Sequence, residues 1–257
     1  MTDRTTVALF LLGLAGHAAA NGPTAPPAVT VPILVYHQVT DARPPGDAVI
    51  APSRLHEHLD ALKQDGFTTI TATQLRALIA LGRPITPKTV VLTFDAGWKE
   101  HLEVAHDLEK RSMVGTFYVL TGFFNDQRYL SIHELQQLSG VPGMEIGSYS
   151  HTRFANGEPT SPAPEDVVSE ALISKFTIED LTRRPVTSFA WPFGRAFPWL
   201  LPSFAKLGYT SVAGVHPLAL NGQSTNVFDL ARLNVSGTCT VSDLREMVLL
   251  STYKSCK

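Results

Sequence analysis

Three side chains able to move protons stand at the ends of apolar runs. VVLTFDAGWKE, residues 90–100, leads from Val90 through Phe94 into an acid, Asp95. ILVYH ends on His37, and EIGSYSHT carries His151 just past another such run. A carboxylate that takes a proton and an imidazole that returns one form an acid–base pair suited to an amide, so Asp95 and His151 are the candidate catalytic residues. The residue after Asp95 is Ala96, a methyl group where a second polar side chain would be expected. Each candidate has a structural alternative. Asp95 can cap the helix that follows it, His151 can be a buried hydrogen-bonded residue, and His37 can simply pack at its strand end. His56, His58, His101 and His106 fall on helical stretches and read as surface residues.

The elements that must position these groups alternate along the chain. Strand patterns cover 33–37, 67–71, 89–94, 114–120, 144–150, 186–191, 209–214 and 230–235. Helical patterns lie between them at 53–66, 73–82, 99–112, 131–140, 164–184 and 200–208, and TVSDLREMVLL follows the last strand. The helix at 53–66 puts Leu55, Leu59 and Leu62 on one face and stops at Gly66. Ser131 with Glu134 forms a capping-box signal. The long helix 164–184, with its alternating charges, reads as a solvated face. Such alternation implies a parallel sheet with right-handed crossovers. The number of units favours an α/β fold closed as a distorted (β/α)7-type barrel. In such barrels the chemistry sits at the C-terminal ends of the strands. His37, Asp95, His151, the Trp191–Gly194 turn and Arg232 would then share one mouth.

Composition excludes several classes. The 257 residues carry a net charge of −2, with 44% hydrophobic and 17% charged residues and no basic run, so nucleic acid is not an expected partner. Residues 1–20 read as a signal peptide. The apolar run 7–16 is too short to span a bilayer, and Ala18-Ala19-Ala20 fits a cleavage site. Export with cleavage near Ala20, to the periplasm or the extracellular space, is the expected localisation, with no membrane span in the mature chain. Residues 21–30 form a Pro-rich spacer, and 31–257 form one domain. The two cysteines, Cys239 and Cys256, would meet an oxidising compartment, either as a disulfide that ties down the C-terminus or as two thiols.

The strand ends carry a pattern beyond this. VPILVYHQV, VVLTFDAGW, GTFYVL, EIGSYSHT and SFAWPFG, in this order, resemble the polysaccharide deacetylases of carbohydrate esterase family 4, the NodB-homology domain. The opening segment and FAWPFG look most like the exported branch that deacetylates poly-N-acetylglucosamine. The resemblance spans roughly 31–250 and implies the NodB-homology (polysaccharide deacetylase) fold, hydrolysis of an acetyl group, and an N-acetylglucosamine-containing polysaccharide as partner. It makes Asp95 the match of the family's general base and His151 the match of its first metal-binding histidine. The family's second acid corresponds to Ala96, its second histidine to Ala155 or Asn156, and an arginine of many members to Ala190.

The family reaction uses a divalent ion to activate water and polarise the acetyl carbonyl. With one ligand, His151, left at the matching positions, no cofactor is expected unless a non-local side chain such as His37, His133 or His216 completes a zinc or cobalt site. Loss of the ion removes several kcal/mol of transition-state stabilisation, or several orders of magnitude in rate. Two expectations follow from the resemblance. One is a hydrolase of atypical site, including a metal-free amidohydrolase using Asp95 and His151. The other is a non-catalytic carbohydrate-binding protein that keeps the groove. For substrate contact, Tyr36, Trp98, Trp191 and Phe193, with Phe123, Phe124 and Trp199, offer rings to sugar faces; His37 lies beside them, and Arg195 and Arg232 suit acidic groups.

Overall fold

The computed structural model describes residues 29–154 and 162–256. Its strands are β1 (Ile33–Tyr36), β2 (Gln38–Val39), β3 (Val49–Ile50), β4 (Thr68–Ile70), β5 (Thr89–Ala96), β6 (Gly115–Val119), β7 (Met144–Ser148), β8 (Ser188–Ala190), β9 (Ser211–Val215) and β10 (Leu230–Asn234). The strands β1-β10-β9-β8-β7-β6-β5 run in parallel, and pairing of β1 with β5 closes them into a seven-strand barrel. The strand expected at 67–71 is not a member of that ring. It forms β4, which pairs only with the opening residues of β5, from Thr89 to Val91. β2 and β3 make a separate short pair.

Alternation along each strand sorts side chains into two environments. On β5, Val90, Leu92 and Phe94 face the helices, while Val91, Thr93 and Asp95 point inward. On β10, Leu233 faces outward, and Leu230, Arg232 and Asn234 follow one another up the interior. The interior is therefore layered. Its lower layer is apolar, with Ile33, Val91, Ala213 and Leu230 packed against Leu75 and Ile79 of α2 (Ala72–Ala80). Thr93 and Arg232 lie above that, and His37, Asp95 and Asn234 reach the mouth.

The outer layer comprises α1 (Pro52–Gln64), α3 (His101–Lys110), α4 (Ile132–Gly140), α5 (Pro164–Thr182), α6 (Leu201–Lys206) and α7 (Val241–Leu250). Leu55, Leu59 and Leu62 of α1 join the outer core as their spacing predicts. Ser131 and Glu134 form the expected capping box on α4. Two expectations fail here. α5 is not a solvated face, because Glu170 and Lys175 are buried along with Val167, Ala171 and Ile178. His58 and His101 are not at the surface. Both are fully buried, and each donates from Nε2 to a carbonyl, that of Cys239 at 3.0 Å and that of His37 at 2.9 Å. Cys239 and Cys256 form a disulfide, so of the two alternatives the tail is tied down. The signal peptide and most of the spacer lie outside the described residues, and no described helix is long and apolar enough to cross a membrane.

Candidate active site

Asp95 ends β5 inside the barrel, and Arg232 of β10 meets it from across the interior. Nη1 and Nη2 of Arg232 donate to Oδ1 and Oδ2 of Asp95 at 2.7 and 3.0 Å, a bidentate pair. The same guanidinium donates from Nε to the Gly214 carbonyl at 3.3 Å and lies 5.3 Å from the Tyr118 ring centroid. Asp95 is 1% exposed and Arg232 0%, so both charges are out of water. Burial disfavours the Arg232 cation, but the charge and hydrogen bonds of Asp95 outweigh it and raise its pKa. Asp95 therefore does not cap the following helix. Glu100 stands at the N-cap of α3, without a side-chain cap bond.

Above this pair opens a cavity of about 670 Å3. His37, Asp47, Asp95 and Asn234 supply its polar wall, and Phe193 and Tyr253 its aromatic one. The loop bearing Asp47 closes down on the segment after β10, where a Cβ added to Gly237 would stand 1.9 Å from the Val49 carbonyl oxygen. Burial lowers the pKa of His37, with the charge of Asp95 opposing and that of Arg232 assisting. The strand ends around the mouth also hold strain. Ala96, the last residue of β5, and Ser150, Arg153, Phe154 and Phe193, past β7 and β8, all have positive φ. Such conformations cost about 1–3 kcal/mol each and cluster at functional sites.

A sequence profile of the polysaccharide deacetylase family matches residues 82–212, just over half of the chain. The chain belongs to the polysaccharide deacetylase family. YxkH of Bacillus subtilis (strain 168), itself assigned to the polysaccharide deacetylases, is 24% identical over 208 residues, which cover 80% of this chain and 71% of that protein. Among solved structures, the Streptococcus pyogenes deacetylase PplD in complex with acetate superposes with a TM-score of 0.76 at 19% identity, covering 86% of this chain and 99% of that one. A de-N-acetylase from Aggregatibacter actinomycetemcomitans gives 0.72 at 15% identity, covering 84% and 98%. These structures share the deacetylase barrel with this chain.

This deacetylase-family chain differs from the family pattern where a metal would be held. Ala96 is 2% exposed and packs with Tyr118, Leu120, Tyr129, Tyr149 and Ala190, a cluster that holds no carboxylate, imidazole or thiol. His151 Nδ1 is hydrogen-bonded to Thr121 Oγ1 at 2.8 Å. Ala155 and Asn156 lie outside the described residues. Among the described residues, no three His, Cys, Asp or Glu side chains converge so as to hold a metal ion. Among the described residues, His151 is the one imidazole or carboxylate ligand left at the positions that match the family's metal ligands.

The other expected residues divide by strand parity. His37 and Phe193 line the cavity. Tyr36 does not. It alternates with His37, so its ring faces outward, stacks on Phe94 at 5.5 Å and hydrogen-bonds His58 Nδ1 at 3.3 Å. Trp191 is likewise corrected to a core residue, 1% exposed among Phe189, Phe197 and Phe204. Trp98 stacks on Tyr129 at 4.6 Å, beside the Ala96 cluster and away from the cavity wall. Arg195 is exposed, just beyond Phe193 and Gly194. Asp95 is engaged by Arg232 and His151 Nδ1 by Thr121, so each of the two has a partner other than the other. Asp47, Asn234 and Tyr253 were not expected at the site. Asn234 was within reach of the strand-end rule, because it closes LARLN; Asp47 and Tyr253 arrive on loops.

Proposed function

We propose that this chain is an exported, non-catalytic member of the polysaccharide deacetylase family that binds amino-sugar polymers of the N-acetylglucosamine type in the barrel mouth. The observation that carries this reading is the buried methyl of Ala96, set in an apolar cluster at the family's metal-ligand position. The engagement of both Asp95 oxygens by Arg232 supports it, since a proton taken there would disrupt a bidentate pair in a dry site. The cavity and its rim of Phe193 and Tyr253 remain, 44% and 41% exposed, with rings available to sugar faces. The de-N-acetylase likeness supports the acetamido-sugar class. The disulfide and the leader pattern support an oxidising, exported setting.

The test combines turnover and binding. Purified protein with zinc or cobalt should release no chelator-sensitive acetate from N-acetylglucosamine oligomers, while calorimetry with amino-sugar oligomers should show binding. The variant Ala96→Asp with Ala155→His should gain metal affinity over the wild type. Chelator-sensitive acetate release by the wild type would sink the non-catalytic reading.

A further inference from the structure

The cavity at the mouth has an uneven supply of hydrogen-bonding groups. Its wall carries two carboxylates, Asp47 and Asp95, and neither Lys nor Arg lines it. Arg232 lies behind Asp95 and is paired with both of its oxygens. Arg153 is not a lining residue but stands beside the wall: it donates to the Tyr129 hydroxyl at 3.3 Å, its guanidinium lies 5.8 Å from the Phe193 ring centroid, and its charge helps lower the pKa of His37. The Asp47 carboxylate forms no ion pair among the described residues.

Three buried polar atoms of cavity-lining residues have no hydrogen-bond partner: His37 Nδ1, His216 Nε2 and Asn234 Oδ1. The Asn234 amide is oriented by its own nitrogen, which donates to the Asp47 carbonyl at 3.0 Å, so its oxygen can only accept. Burial lowers the pKa of His37, which favours the neutral imidazole, and a neutral imidazole carries one acceptor nitrogen. His216 Nε2 stands 3.7 Å from Asp229 Oδ1, beyond hydrogen-bond reach. Unpaired buried polar groups of this kind cost about 1–3 kcal/mol each until a ligand satisfies them.

We infer that this cavity selects an amino sugar whose amine is free and protonated, so that the protein reads the de-N-acetylated residues of a partly deacetylated polymer. An ammonium brings three donors and a positive charge to the Asp47 carboxylate, the Asn234 oxygen and an imidazole nitrogen. An acetamide offers one donor and brings a carbonyl oxygen, a further acceptor, to a wall already rich in acceptors. Phe193 and Tyr253 would flank the ring on either form, so they hold the polymer without choosing between the two. The inference rests on the glycan-binding reading above and specifies its ligand.

The test is calorimetric titration of the purified protein with a tetramer of glucosamine and with a tetramer of N-acetylglucosamine, at about pH 6, below the range where amino groups lose their protons. The glucosamine tetramer should bind about tenfold more tightly, a difference of about 1.4 kcal/mol. Asp47→Asn should remove most of that preference. Asp180→Asn, the same charge change on an exposed residue of α5, should leave it intact. Equal or tighter binding of the acetylated tetramer would overturn the inference and leave the glycan-binding reading standing. An equal effect of Asp180→Asn would also overturn it, by showing general charge attraction. Failure of both tetramers to bind would overturn both readings.

Discussion

Asp95 and Arg232 share a buried ion pair whose two ends depend on each other. Removing one end strands the other charge away from water, which costs about 3–5 kcal/mol, whereas replacing both with neutral groups can be close to neutral. Arg232→Met should therefore destabilise the fold strongly, and Asp95→Asn in the same chain should restore most of the loss. Urea denaturation of the single and double variants checks this. If Arg232→Met were as stable as the wild type, the pair would not be buried as described. A second residue-scale effect is acid sensitivity. Burial lowers the pKa of His101 to about 4 from 6.5 and lowers those of His37 and His58 as well. The unfolded chain binds these protons at higher pH than the folded one, so unfolding takes up protons between about 6.5 and 4. Stability should fall as the pH drops through that window, and His101→Gln should flatten the slope in denaturation curves taken at each pH.

α5 is the element that shapes the loop after β7. Its Glu170 accepts from the backbone amides of Thr152 and Phe154 at 3.0 and 2.7 Å, and from the hydroxyls of Ser150 and Thr152. Burial pushes its carboxyl upward, but these hydrogen bonds carry it below the ordinary glutamate value. One buried side chain thus holds a run in which Ser150, Arg153 and Phe154 have positive φ, with His151 between them. Glu170→Gln should weaken that anchoring by about 2 kcal/mol, the scale of a charged hydrogen bond in a buried place. Hydrogen exchange should report it as faster exchange at Thr152 and Phe154, with little change on β5. Unaltered exchange there would mean that the loop does not depend on Glu170. A sign of this role was present in the sequence, since Glu170 stands three residues from Val167 and four from Ser174, on the buried face. The charge pattern of the whole helix concealed it, because charge count does not say which face turns inward.

At the scale of the molecule, the disulfide joins the end of the chain to the segment after β10. Its sequence separation is 17, for which loop closure predicts a stabilisation of about 3 kcal/mol in the chain-entropy account. Replacing both cysteines by serine should lower stability by that order. It should also weaken ligand binding, because Tyr253 reaches the cavity from the tethered tail. Chemical denaturation and titration of the double variant check both effects. Binding unchanged in that variant would remove Tyr253 from the site. The barrel itself was legible in the chain, because alternating periods of two and 3.6 already determine strands, helices and their parallel order. The mouth was legible too, through Asp95 and His37 at strand ends, and so was the missing acid at Ala96, a matter of residue identity alone. Tyr36 and Trp191 were misplaced as sugar platforms because a sequence shows which residues lie near a strand end, while the pleat decides which of two neighbours faces in. The meeting of Asp95 with Arg232, 137 positions apart, and of Asp47, Asn234 and Tyr253 around one cavity needed the closed barrel. Only strand register and ring closure bring such distant positions to one point, and neither is written in any local stretch of residues.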